Sequence, residues 1–164
     1  LLPPGADTAA EGAVVEMAPA RSALMERIAG RIARQGGAGL FIDYGYLRPG
    51  VGDTLQAVRR HEYEDMLASP GEADLTAHVD FPALAAAAHA QGLETRFLTQ
   101  GAFLLAMGLL ERAGRLGAAA DEAEREKLSA AVERLAGPQA MGDLFKVMAV
   151  LPKGMAIAPF EGEN

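Results

Sequence analysis

Three short stretches of this chain gather residue types that could hold and process a polar ligand. Asp43-Tyr44-Gly45 ends a wholly apolar run, Leu40-Phe41-Ile42. Asp74-Leu75-Thr76-Ala77-His78-Val79-Asp80 places a carboxylate, a hydroxyl and an imidazole at alternate positions. Glu16 stands just ahead of Pro19, at the entry to a candidate helix. Carboxylates in such a set can orient a cation and take up its proton, while Thr, Tyr and His complete a polar wall. Alternate side chains of an extended segment share a face, so Asp74, Thr76 and His78 are expected to line one pocket. Each stretch also has a plainer reading. Asp43 can satisfy loop backbone donors, Asp80 can cap a helix, and Glu16 can be an ordinary helix-entry carboxylate. Asp74, His78 and Asp80 also fit part of a facial-triad iron site, but that site needs another His, and only His61 and His89 remain.

Elements of an α/β protein must position these residues. Pro19 suits the first turn of a helix, Leu24, Ile28 and Ile32 follow at four-residue intervals, and Gln35-Gly36-Gly37 stops it. Leu40-Phe41-Ile42 then reads as a buried strand, with Asp43, Tyr44 and Gly45 at its carboxyl end, where ligands bind in open α/β sheets. Val14-Val15 is a second, shorter strand candidate. Residues 46–80 form a long polar excursion without sustained hydrophobic period, the place where recognition is expected. Asp80 is expected to cap a helix reaching Gln91, and residues 93–99 to form a strand beside the first. Phe103, Leu104, Met107 and Leu110 make a helical stripe, whose Met and Phe positions near 103–107 read as core. Asp121 and Glu124 have capping-box spacing ahead of a helix bearing Leu128, Ala131, Val132 and Leu135, which Gly137-Pro138 ends. Leu144 to Leu151 is a last strong strand.

Composition narrows the chemistry. The 164 residues carry a formal charge of -7, which argues against a nucleic-acid footprint. The chain has no Cys, so disulfides, thiolate metal sites and a cysteine nucleophile are excluded. No apolar run is long enough to span a membrane as a helix. GxSxG, GxxxxGK[ST], HExxH and a strand-preceded GxGxxG are all absent. The start at Leu1 reads as a cut end. One sheet edge is then expected to be open and apolar, so residues 1–164 expressed alone should aggregate.

The segments GGAGLFIDYGY, GDTLQAV, SPGEADLTAHVDF, TQGAFL and FKVMAVLPKG, spread over nearly the whole chain, resemble the C-terminal half of the MidA-like family of S-adenosylmethionine-dependent methyltransferases. Ser69 to Phe81 is the most specific block. Met66 departs from the family, where Pro is expected. The resemblance implies a Rossmann-like class I methyltransferase sheet, here its last three strands with flanking helices and an antiparallel terminal strand. It implies that residues 1–164 are the substrate-side part of the domain. The Gly-rich loop that holds S-adenosyl-L-methionine would then lie upstream of Leu1. The family's mitochondrial members are protein arginine methyltransferases acting in complex I assembly. The resemblance implies a protein substrate such as a respiratory-complex subunit, with a mitochondrial location in eukaryotic relatives and a cytoplasmic one for a bacterial-type protein.

Position and chemistry rank Asp43, Asp74 and Glu16 as candidate catalytic carboxylates, with Asp80 behind them because capping can occupy it. Tyr44, Gly45, Thr76, His78 and Asp80 are the candidate substrate wall. No metal, nucleic acid or membrane insertion is expected, and the oligomeric state is not readable. Two other readings stand beside the enzyme: a non-catalytic assembly module that binds a protein through the 46–80 loop, and the metal-dependent oxygenase suggested by His78-x-Asp80.

Overall fold

A computed structural model describes residues 8–48 and 50–160. Helix α1 (Pro19–Gln35) leads to strand β1 (Gly39–Tyr46), and a small three-stranded unit follows: β2 (Gln56–Arg59), β3 (Glu62–Glu64) and β4 (Asp74–Thr76). Next come β5 (Val79–Asp80), α2 (Phe81–His89), β6 (Glu94–Thr99), α3 (Gln100–Ala106) and α4 (Leu109–Gly117). Helix α5 (Glu122–Ala136), α6 (Met141–Leu144) and β7 (Phe145–Leu151) complete the order. The main sheet runs β5-β1-β7-β6. Strand β7 is antiparallel to both β1 and β6, and β5 is parallel to β1. The antiparallel terminal strand expected from the resemblance is therefore present. No described helix is long and apolar enough to cross a membrane.

Strand β7 is the centre of the molecule because both its faces are covered. Met148 and Val150 enter a core with Met25, Ala29 and Ile32 of α1 and Phe81, Leu84 and Ala88 of α2. Val147, Ala149 and Leu151 alternate to the opposite face and are also buried, on the side where α3 and α6 meet β7. Strand β1 is different. Phe41 packs against the α1–α2 core, whereas Leu40 and Ile42 are each 48% exposed among the described residues. The expectation of a wholly buried strand is thus corrected: α3 and α6 cover β6 and β7 but do not extend over β1.

Other local expectations shift for similar reasons. The buried stripe of α1 is Met25, Ala29 and Ile32, with Leu24 55% exposed. A strict four-residue repeat drifts about 40° per step around a 3.6-residue helix, so spacings of four and three hold one face better. Val14-Val15 forms no strand; the Val14 carbonyl instead accepts from Gly52 N at 2.9 Å. The stripe from Phe103 to Leu110 is split, because Gly108 adopts a left-handed φ of 86° between α3 and α4. Met107 and Leu110 consequently stand exposed, which for Met107 corrects its reading as core. The caps hold as expected: Asp80 Oδ1 accepts from Ala83 N at 3.0 Å, and Asp121 Oδ1 from Glu124 N at 2.8 Å.

The polar excursion is ordered into an antiparallel sheet, β3-β2-β4. Its hairpin turns on Arg60 and His61, both with positive φ (53° and 69°). Two-residue hairpins of this kind ordinarily show as Asn-Gly or Asp-Gly, so Arg-His carries no turn signal.

Candidate active-site cleft

The carboxyl end of β1 opens into a cleft of about 730 Å³. Its apolar wall includes Met17, Leu55, Pro82 and Leu84, and its polar groups include Glu16, Arg21, Tyr46, His78 and Asp80. Strand pairing delivers two of these together: Tyr46 and Asp80 are register partners across β1 and β5. The loop before β2 fixes a third. Glu16 Oε1 accepts from Thr54 N at 2.7 Å, and Oε2 accepts from the Thr54 hydroxyl at 2.6 Å. That hydroxyl also accepts from His78 N at 3.0 Å, while Arg21 Nη1 donates to the His78 carbonyl at 3.0 Å. Thr54 therefore ties the entry of α1 to the segment that leads into β5. Thr54→Val should destabilise the whole protein by about 2 kcal/mol, the scale of a hydrogen bond to a charged group. Urea unfolding would read this, with Thr54→Ser restoring stability.

Tyr46 is the electrostatic centre of the cleft. Burial raises its pKa above the ordinary 10.0, and the charges of Asp80 and Glu16 and a hydrogen bond to Asp80 add to the shift, against an opposing pull from Arg21. The phenol therefore stays protonated at neutral pH and donates. Its folded pKa exceeds the unfolded one, so its contribution is full below about pH 10 and is lost as pH rises through the folded value. Tyr46→Phe should flatten the alkaline loss of urea stability between about pH 9 and about pH 11. Lys146, whose pKa is lowered by burial, titrates with the opposite sign but is common to both proteins. Equal alkaline slopes in wild type and variant would refute the role given to Tyr46.

A cleft with paired carboxylates at the carboxyl end of a strand invites comparison with known proteins. Residues 2–99 match a family model described as a putative S-adenosyl-L-methionine-dependent methyltransferase. The chain belongs to this MidA-like methyltransferase family. Among relatives of the family, the mitochondrial protein arginine methyltransferase NDUFAF7 of Danio rerio is 36% identical over 137 residues, covering 84% of this chain and 32% of the relative. The Homo sapiens protein of that name is 35% identical over 139 residues, covering 84% and 31% respectively. The chain thus spans about a third of the length of the curated relatives it matches. Among solved structures, a likely methyl transferase from Burkholderia thailandensis bound to S-adenosyl-homocysteine superposes with TM-score 0.71 at 29% identity, covering 87% of this chain and 38% of that one. An uncharacterized protein from the same organism superposes with TM-score 0.73 at 31% identity, covering 85% and 38%. The β1-β7-β6 arrangement agrees with a partial class I methyltransferase fold.

Within this methyltransferase frame, Glu16, His78 and Asp80 line the cleft. Tyr44 stands behind it, its ring 5.6 Å from the His78 ring and 5.5 Å from Phe145. Gly45 is buried, and a Cβ there would lie 2.2 Å from the Val79 carbonyl oxygen. Its service is to let β5 approach β1. Thr76 ends β4, next to the cleft residue Ala77. Asp43 and Asp74 are not among the cleft's lining residues. Asp43 is exposed and accepts from Tyr44 N at 2.8 Å. Its register partner Lys146 turns its ammonium to the carbonyls of Asp143 and Leu144. Asp74 is exposed on β4, opposite Val58. Among the described residues no group of three or more His, Asp or Glu could hold a metal ion, so Asp74, His78 and Asp80 do not converge on one.

Tyr46, Arg21 and Thr54 were not singled out from the sequence. Tyr46 had a usable signal: it lies two residues beyond Tyr44, on the same face of a strand that continues to its position. Arg21 and Thr54 had none, because each acts through a partner distant in sequence.

Proposed function

We propose that the whole protein carrying this chain is an S-adenosyl-L-methionine-dependent protein arginine N-methyltransferase, and that this chain supplies the acceptor side of its active site. The observation that carries the reading is the convergence of Glu16, Tyr46 and Asp80 at the carboxyl end of β1, in a family with a relative solved bound to S-adenosyl-homocysteine. S-adenosyl-L-methionine, when bound, supplies a methyl group activated by sulfonium charge. The cleft fits the other reactant: an apolar wall takes the aliphatic stem of an arginine, and carboxylates receive its planar donor fork. Among the described residues no strand leads through a Gly-rich turn into a helix, and we assign the donor's adenosyl and methionine portions to residues outside this chain.

Asp80 is held by Ala83 N and by the Tyr46 hydroxyl, which fixes the orientation of its carboxylate. It is placed to orient the guanidinium and to accept the proton released when the nitrogen is methylated. Glu16, locked by Thr54, adds negative potential. Asp43 and Asp74, outside the cleft, are assigned no proton transfer. A respiratory-complex subunit as acceptor rests on the family resemblance alone, and for a bacterial protein the same reading carries a cytoplasmic location.

Calorimetry with S-adenosyl-L-methionine on the whole protein, followed by transfer of labelled methyl to an arginine-containing protein, tests the proposal. Binding and transfer are expected. An intact, folded protein that binds no donor would overturn the enzyme reading and favour a non-catalytic assembly module.

A further inference from the structure

The β3-β2-β4 sheet is an insertion between β1 and β5, and both its roots are in the cleft wall. Leu55, immediately before β2, lines the cleft, as do Ala77 and His78, immediately after β4. The three strands make their backbone contacts chiefly with one another. Strand β2 is central, so among the described residues no strand pairs with the outer edge of β4. An unpaired edge offers backbone donors and acceptors to an incoming extended chain. On this edge Leu75 is 62% exposed, and Asp74 and Thr76 share the other face. Asp74 is the carboxylate on β4 itself and is exposed, while Glu72, two residues before it, is paired with Arg59.

We infer that the free edge of β4 docks an extended, basic segment of the acceptor protein as an added strand and leads it into the cleft. This rests on the acceptor reading of the cleft given above. A cationic side chain of the docked segment lies opposite Asp74, and an aliphatic one lies against Leu75. Strand β4 runs toward Ala77 and His78, so a docked chain continues to the carboxylates of the cleft. At about 3.3 Å per residue, the arginine entering the cleft lies about four residues from the one opposite Asp74. The Asp74 carboxylate selects basic partners, and the backbone of the edge selects extended ones.

The test uses the whole protein and a short fluorescein-labelled peptide that alternates arginine with valine, read by fluorescence anisotropy without methyl donor. Tight binding is expected, with at least about tenfold weaker binding of a glutamate–valine peptide and of an arginine–valine peptide N-methylated on alternate backbone nitrogens. Asp74→Lys should weaken the parent peptide about tenfold, whereas Glu62→Lys, on the far strand, should change it less than about twofold. Both substitutions are at exposed positions, and circular dichroism checks that the fold is kept. Equal binding of the N-methylated peptide, or equal weakening by Asp74→Lys and Glu62→Lys, would overturn the docking edge. Because no donor is present, failure here is separate from failure of the methyltransferase reading, which the calorimetry decides.

Discussion

Asp80→Asn in the whole protein is expected to lower the rate of methyl transfer by about 10²-fold or more, the scale of a lost general base, with almost no loss of fold. The two effects separate because Asp80 has two duties. Its Oδ1 caps α2 through Ala83 N, and asparagine caps helices about as well as aspartate. Its charge is what orients a cation and accepts a proton, and asparagine lacks it. Asp80→Ala would lose about 1 kcal/mol more through the missing cap. Turnover with labelled donor and thermal melts of both variants give the comparison. Wild-type turnover in Asp80→Asn would remove this carboxylate from the acceptor site and return attention to Glu16.

The second large effect belongs to Gly45. A Cβ at this position would sit 2.2 Å from the Val79 carbonyl oxygen and 2.9 Å from its nitrogen. Both contacts are with backbone, so no side-chain rotation relieves them. Gly45→Ala must push β5 away from β1, which breaks the pairing that holds Asp80 beside Tyr46. A stability loss of about 3 kcal/mol is expected, together with loss of methyl transfer below the melting temperature. Wild-type stability in Gly45→Ala would mean that the two strands are not packed as closely as described. Substrate contact would impose no such stability cost. Unfolding therefore separates the two roles this glycine could have.

Much of the main sheet could be read in advance because its signals are local. Phe145–Leu151 is apolar but for Lys146 and long enough for a strand, and Pro152 ends it. Asp80 and Asp121 cap the helices they precede because a short carboxylate reaches the backbone nitrogen three residues on. The β3-β2-β4 sheet escaped notice because its strands are three or four residues long and its tight turn is Arg60-His61. Partial burial of β1 could not be read from Leu40-Phe41-Ile42, since composition gives the apolarity of a run and not which face another element covers.

The division is sharpest at the cleft. Sequence alone brought Asp43-Tyr44-Gly45 to the end of a strand, marked Glu16, His78 and Asp80 as candidates, and carried the resemblance to a methyltransferase family. Those are properties of neighbouring residues or of ordered segments. Only the tertiary structure decided which carboxylates share a site, since that depends on pairing across 34 positions of register, Tyr46 to Asp80, and on Thr54 bridging Glu16 and His78. Tyr46 lines the cleft because it is the last residue of β1 and stands opposite Asp80, whereas Asp43 lies three residues back along the strand. The order of residues along β1 is written in the sequence, but only the pairing of β1 with β5 made the strand's end a site.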